Sequence, residues 1–177
     1  MSAIAARLGG SKGTLYSYFA NKEDLFFACV SRHCALLEEQ MQSLLTGESA
    51  LEDTLMRIGQ RYVSFVASED VVRKFRMVVG EAERTPSLSC KFYEVGPARG
   101  AEVVARYFEQ AMRDGALRDA DPLRAANHFL GLCYNWLSKA RLCAAEPEPS
   151  PERVREEVTE AVRVFFAAYG LEKRARR

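Results

Sequence analysis

The feature that most constrains this chain is the spacing of its apolar residues, which recur three and four apart almost from end to end. Leu51, Leu55, Ile58, Tyr62, Phe65 and Val66 trace one stripe. Leu123, Ala126, Phe129, Leu130, Cys133, Trp136, Leu137 and Ala140 trace a second. Val154, Val158, Ala161, Val162, Phe165, Phe166 and Tyr169 trace a third. Residues so spaced fall on one face of a 3.6-residue helix. Alternating β-branched runs bounded by hairpin turns are missing. The expected fold class is all-α.

Caps and breakers divide these stripes into elements. Ile4 and Leu8 mark a short helix over residues 2–8, broken at Gly9-Gly10. Ser11 can cap a second short helix carrying Leu15 and Phe19. Asn21 caps a third, with Asp24 placed as a capping-box carboxylate. That third helix runs long, from Lys22 to Leu45, and Gly47 ends it. Its inward stripe is expected at Leu25, Cys29, His33, Leu36, Leu37, Gln40, Met41 and Leu44. Val71, Phe75, Val78, Val79 and Ala82 mark a further helix, closed by Thr85-Pro86. Gly96-Pro97 predicts a kink in a helix spanning Leu88 to Met112. Asp121-Pro122 and Ser150-Pro151 each place a cap before a proline at the first helical position. One helix is expected from Pro122 to Ala140 and a last one from Pro151 to Gly170. The tail Lys173-Arg174-Ala175-Arg176-Arg177 reads as a solvated end. Two units follow: a helix-turn-helix unit over residues 1–46 and a helical unit over 47–177.

Composition narrows the function classes. The chain has 177 residues, 48% of them hydrophobic, enough for a real core. Its 25 basic and 24 acidic side chains nearly cancel, so a chain-wide field cannot hold a polyanion. Any nucleic-acid contact must come from a local patch. The five cysteines, Cys29, Cys34, Cys90, Cys133 and Cys143, have no Cys-x-x-Cys spacing. They read as reduced thiols packed as small hydrophobes. With only two histidines, no metal or other cofactor is expected. Apolar runs fall far short of the ~18 residues that span a bilayer, and no secretory signal opens the chain. A cytoplasmic protein without a membrane partner is the expectation. Glu-x-x-His, Gly-x-Ser-x-Gly and Walker sequences are absent, so an enzyme is not expected.

The informative segment is Ala3 to Leu25. Two short helices crossing at a sharp turn need a glycine that tolerates positive φ, and Gly9 suits that. The second helix has an inner apolar pair, Leu15 and Phe19. Its outer face offers Lys12, Thr14, Tyr16, Ser17 and Tyr18, side chains suited to phosphates and base edges. Residues 1–22 carry Arg7, Lys12 and Lys22 and no acid. A helix-turn-helix docking on DNA is one reading of these features.

The ordered string Ile4-Ala5 through Gly9, Ser11-Lys12-Gly13-Thr14-Leu15-Tyr16, Tyr18-Phe19, Asn21-Lys22-Glu23 and Leu25 resembles the DNA-binding signature of the TetR family of transcriptional regulators. Further on, Phe75 to Pro86, Phe92 to Arg99 and Asp121 to Cys133 resemble the ligand-binding half of the subgroup that controls efflux and lipid-related genes. The resemblance implies a repressor that binds double-stranded operator DNA as a homodimer and is released by a small lipophilic effector. It implies that Lys12, Gly13 and Thr14 meet base edges and backbone at the front of the recognition helix. Tyr16 and Tyr18 would contact phosphate or thymine methyl groups, Ser17 would face the major groove, and Lys22 would pair with a phosphate.

The family also keeps a cavity within its helical half. The aromatic candidates for it are Tyr62, Phe65, Phe75, Phe92, Tyr107 and Trp136, with His128, Arg61 and Asn135 as nearby polar groups. The wide apolar faces of the last two long helices suggest a two-fold four-helix seam, and the resemblance implies the same pairing. Its expected residues are Leu130, Leu137, Val158, Val162, Phe165 and Tyr169.

Two departures from the family pattern carry expectations. The family places a leading helix ahead of this motif, and Met1 stands almost where the first motif helix begins. Ile4, Leu8, Leu25 or Phe26 should then present apolar surface, and operator binding should be weak. Gly10 stands where the family favours a branched apolar residue, which should loosen the turn. A second functional reading therefore stays open: a dimeric small-molecule-binding or interaction protein that has lost operator binding.

Overall fold

A computed structural model describes residues 1–7, 9–46 and 49–171. The expectations for Leu8, Gly47 and the basic tail from Lys173 lie outside the described residues. The elements run α1 (Ser2–Arg7), α2 (Lys12–Tyr18), α3 (Lys22–Leu45), α4 (Leu51–Val66), α5 (Glu69–Gly80) and α6 (Pro86–Tyr93). A π-helical turn (Glu94–Ala98) leads into α7 (Arg99–Arg113), followed by α8 (Pro122–Cys133), α9 (Asn135–Leu142) and α10 (Pro151–Tyr169). Among the described residues there is no strand, so the all-α expectation holds.

The helix boundaries sit where local chemistry puts them. Asn21 accepts a hydrogen bond from the Asp24 amide at 2.7 Å, Asp121 from Arg124 at 2.9 Å and Ser150 from Arg153 at 3.3 Å. Each cap satisfies one orphan donor of a first turn. Gly115 follows α7 with φ +69°, the left-handed geometry glycine adopts without strain. The Gly96-Pro97 pair falls inside the π-helical turn between α6 and α7. Proline lacks the amide a regular α-turn needs, and the widened turn absorbs that loss.

Three fully buried rings tie α7, α8 and α10 together. Phe108 stacks on Phe165 at 4.8 Å, and Phe129 meets Phe165 edge-on at 5.5 Å. Burying a phenylalanine contributes about 1.5–3 kcal/mol, and each aromatic pair adds about 0.5–1.5 kcal/mol. On the other side of α10, α4 approaches closely at Gly59. A Cβ placed there would lie 2.6 Å from Val158 Cγ1.

This packing corrects the expected dimer seam. Leu130, Leu137, Val158, Val162, Phe165 and Tyr169 are all buried within the single chain. The apolar face of α10 is wide because it packs on both α4 and α8. Those side chains have no surface left for a partner.

Three further expectations change. The buried row of α3 is Val30, Leu37 and Met41, whereas Cys29, Leu36 and Gln40 are exposed. The expected stripe mixed two rows lying one residue, about 100°, apart. The helix expected from Pro122 to Ala140 breaks at Tyr134, whose backbone leaves the helical region (φ −123°, ψ 29°). Only Cys133 is a buried thiol; Cys34 is half-buried, and Cys29, Cys90 and Cys143 are exposed.

Arg141 fastens the redirected α9. It is 3% exposed, and it donates to the Ala67 carbonyl, the Glu146 carbonyl and the Glu69 carboxylate at 3.1, 2.9 and 2.8 Å. Arg76 in turn donates to the Arg141 and Leu142 carbonyls at the end of α9. A buried guanidinium is tolerable because its donors are matched in this way.

Candidate functional site

The N-terminal segment presents a short exposed helix. Ser11 Oγ caps α2 by accepting from the Thr14 amide at 3.0 Å, and it lies 2.8 Å from Thr14 Oγ1. Ser17 Oγ donates to the Thr14 carbonyl at 2.7 Å. Gly9 makes the turn before α2 with φ +68°. Leu15 and Phe19 are half-buried, whereas Lys12, Gly13, Thr14, Tyr16, Ser17, Tyr18 and Lys22 are all exposed. Lys12, Tyr16 and Lys22 border one shallow hollow, with the Lys12 ammonium 5.7 Å above the Tyr16 ring. The seven expected DNA contacts therefore share the outer surface of α2 and the start of α3. Ile4 is 39% exposed, and Leu25 and Phe26 are half-buried, so apolar surface does persist here. A Cβ at Gly10 would meet open space.

α3 then runs unbroken into the wall of a cavity of about 440 Å³. From α3 come Val30, His33, Cys34, Leu37, Glu38 and Met41. α4 supplies Tyr62, Phe65 and Val66, and α5 supplies Val72, Lys74 and Phe75. Phe92 and the π-helical turn close another side, with Phe75 and Phe92 5.6 Å apart. Asn127, Leu130, Gly131, Tyr134, Ser138 and Leu142 complete it.

Of the expected lining residues, Tyr62, Phe65, Phe75 and Phe92 are in place. Tyr107 instead packs against the core, and His128 Nδ1 lies 2.6 Å from the Tyr169 hydroxyl outside the cavity. Trp136 is on the surface beneath Arg153. The break at Tyr134 shifts the helical phase, which turns Trp136 out and Tyr134 and Ser138 in. Arg61 donates to Gln40 away from the cavity, and Asn135 is exposed.

Sequence reasoning missed the polar groups of the lining. Arg99 grips Glu38 through two donors at 2.9 and 3.2 Å, joining α7 to α3. That contact holds the Arg99 pKa above its usual value. Lys74 contacts Asp70 and lies 3.0 Å from His33 Nδ1, joining α5 to α3. The Lys74 hydrogen bond keeps the Asp70 carboxyl below its ordinary range. These partners stand 61 and 41 residues apart in the chain, so no local spacing announces them. Burial pushes the Cys34 thiol up despite Lys74 nearby, and pushes the Cys133 thiol to about 12. Both thiols are inert at neutral pH.

Residues 53–171 match the family described as AefR-like transcriptional repressor, C-terminal domain, and residues 1–29 match the bacterial regulatory proteins of the tetR family. The chain belongs to the TetR family. It is a ligand-responsive transcriptional regulator, with a helix-turn-helix at its N-terminus and a helical ligand-binding half. Among solved structures it is similar to a TetR-family regulator from Mesorhizobium loti MAFF303099, at 25% identity and a TM-score of 0.87. That match covers 96% of this chain and 86% of the other. It is also similar to the flavonoid-responsive regulator FrrA, at 29% identity and a TM-score of 0.74, covering 97% and 87%. No curated protein matches the chain. Among the described residues of this TetR-family chain, no helix is long and apolar enough to cross a membrane.

Proposed function

We propose that this TetR-family chain is a cytoplasmic repressor that binds operator DNA as a homodimer and is released by a small lipophilic effector. The observation that carries this reading is the continuity of α3. One helix starts beside the exposed residues of α2 and supplies six residues to the cavity wall. A ligand that tilts α3 must move the helix-turn-helix. The lining is dominated by aliphatic and aromatic side chains, the pattern of a site for an apolar molecule. FrrA, the relative at 29% identity, is by its name flavonoid-responsive, which is in keeping with a lipophilic effector. The role is binding rather than catalysis.

Residues 1–46 act as the DNA-binding unit and 47–177 as the ligand-binding and dimerisation unit, with α3 shared between them. Lys12, Gly13, Thr14, Tyr16, Ser17 and Tyr18 read the groove and its flanks, and Lys22 neutralises a phosphate. A two-fold dimer would present two such heads at half-sites about 34–36 Å apart. With the former seam residues consumed in the core, the pairing surface we favour is the outward face of α8 and α10, where Leu123 and Val164 are exposed. Val164→Glu should leave the monomer folded and abolish the dimer in sedimentation. A variant that still sediments as the parent dimer would exclude this face.

The test of the lever is reciprocity. Nile red, neutral and lipophilic, serves as the cavity probe, and a duplex selected from random sequence serves as operator. Dye should weaken operator binding by roughly 5–150-fold, and operator should weaken dye binding by the same factor. Equal dye affinity with and without operator would overturn the model.

A further inference from the structure

We infer that the cavity selects an uncharged ligand carrying a hydroxyl or carbonyl group, and that the Tyr62 hydroxyl is the hydrogen-bonding partner that recognises it. The inference rests on the reading of this cavity as the effector site.

The charges in the wall are already spoken for. Glu38 is matched by two donors of Arg99, and Lys74 by Asp70 and the His33 ring. A ligand with a carboxylate or phosphate would have to take Arg99 from Glu38 or Lys74 from Asp70. Taking Arg99 would strand Glu38, whose side chain is only 18% exposed. A cationic ligand at Glu38 would have to displace both donors of Arg99, which already neutralise that carboxylate. A carboxylate left without its partner in such half-buried surroundings is strongly disfavoured. A neutral ligand leaves both pairs intact.

Tyr62 is a polar group of the lining left open; Asn127, which also lines the cavity, is exposed and donates to the Leu123 carbonyl. The Tyr62 ring lines the cavity, and no hydrogen bond among the described residues engages its hydroxyl. By contrast Tyr134 donates to the Val66 carbonyl at 3.4 Å, and Ser138 to the Asn135 carbonyl at 2.7 Å. Burial raises the Tyr62 pKa, first by desolvation and then through Cys133 and Tyr134. The phenol therefore stays protonated at neutral pH and offers both a donor and an acceptor. A hydroxyl left open in a cavity that Phe65, Phe75 and Phe92 also line suits a flat aromatic body with one neutral polar group.

Three probes with one body and different heads test this: 4-phenylphenol, biphenyl-4-carboxylate and biphenyl-4-trimethylammonium, titrated calorimetrically at pH 7. The first is neutral there and the others are charged. 4-Phenylphenol should bind at least about 10-fold more tightly than either charged probe. Tyr62→Phe keeps the ring and removes only the hydroxyl, so its melting temperature should match the parent. It should lower 4-phenylphenol affinity about 10-fold, the worth of one buried hydrogen bond, and leave the charged probes unaffected. If a charged probe binds as tightly as the phenol, the inference fails while the cavity remains the effector site. If the phenol binds Tyr62→Phe as well as the parent, the assignment of Tyr62 fails. If none of the three binds, the reading of the cavity itself fails, and this inference with it.

Discussion

The two ends of α3 meet very different surroundings. At its start, α1 and α2 bury one residue between them, Ala5, and α2 buries none. At its far end, α7 and α10 each bury six residues around the Phe108, Phe129 and Phe165 rings. A recognition surface must leave its side chains in solvent to meet DNA, so hydrogen-bonded caps and one positive-φ glycine hold it. A ligand half must keep a cavity open against collapse, and a dense core on its other side supplies the rigidity. Under the proposed function, α3 is the part that would carry a signal from the rigid end to the loosely held one.

Substitutions can break this contrast, beginning with the largest effect. Phe165→Glu places a carboxylate among the Phe108, Phe129, Phe166 and Tyr169 rings and should cost more than about 4 kcal/mol, by the measure of buried unpaired charges. The expected result is loss of the cooperative thermal transition in circular dichroism. A folded monomer with an unchanged transition would show that Phe165 faces a partner rather than the core. Gly59→Ala should follow, at about 1–3 kcal/mol for overpacking, because its Cβ would stand 2.6 Å from Val158 Cγ1. Urea unfolding would measure it, and an unchanged midpoint would mean that α4 and α10 separate more readily than this packing implies.

A pH experiment sharpens the rigid side of the comparison. The hydrogen bond from Arg141 holds the Glu69 carboxyl below its ordinary value of 4.5. A carboxyl depressed in the folded state binds its proton less readily than in the unfolded chain. Its contribution is therefore fully present above pH 4.5 and is lost as pH falls through the lower folded value. Glu69→Gln should flatten the acid side of the melting-temperature profile below that pH. A profile with the parent's steepness would remove Glu69 from the clasp around Arg141.

How much of this was legible in the sequence follows from which signals are local. Asn21, Asp121-Pro122, Ser150-Pro151 and Gly115 act within one turn, and they mark helix ends correctly. Tyr62, Phe65, Phe75 and Phe92 share the cavity because each lies on an inward face. Apolar periodicity says that a face is covered, without saying by what. That is why Val158, Val162 and Phe165 suggest a seam between chains although α4 and α8 cover them. Trp136 and Tyr107 also look like cavity residues, but a change of phase at Tyr134 and packing against the core remove them. The Arg99–Glu38, Lys74–Asp70–His33 and Arg141–Glu69 contacts include tertiary links that no window of the sequence contains.

The smallest effect on the fold, and the most direct probe of the exposed end, is Lys22→Ala. The Lys22 side chain is 76% exposed and, among the described residues, is paired only with Glu23, at 3.5 Å. Exposed pairs of this kind contribute about 0–1 kcal/mol, so the melting temperature should hardly change. On duplex DNA the outcome is different. If Lys22 neutralises one phosphate, its loss should weaken binding across unrelated sequences. It should also reduce the slope of log K against log salt by about 0.9. Thr14→Ala, in the first turn of α2, should instead relax base preference and leave the slope alone. A Lys22→Ala protein with the parent's affinity and slope would mean that the start of α3 stays clear of the backbone. The contrast would then still describe how the chain is held together, but the exposed face of α2 would need another partner.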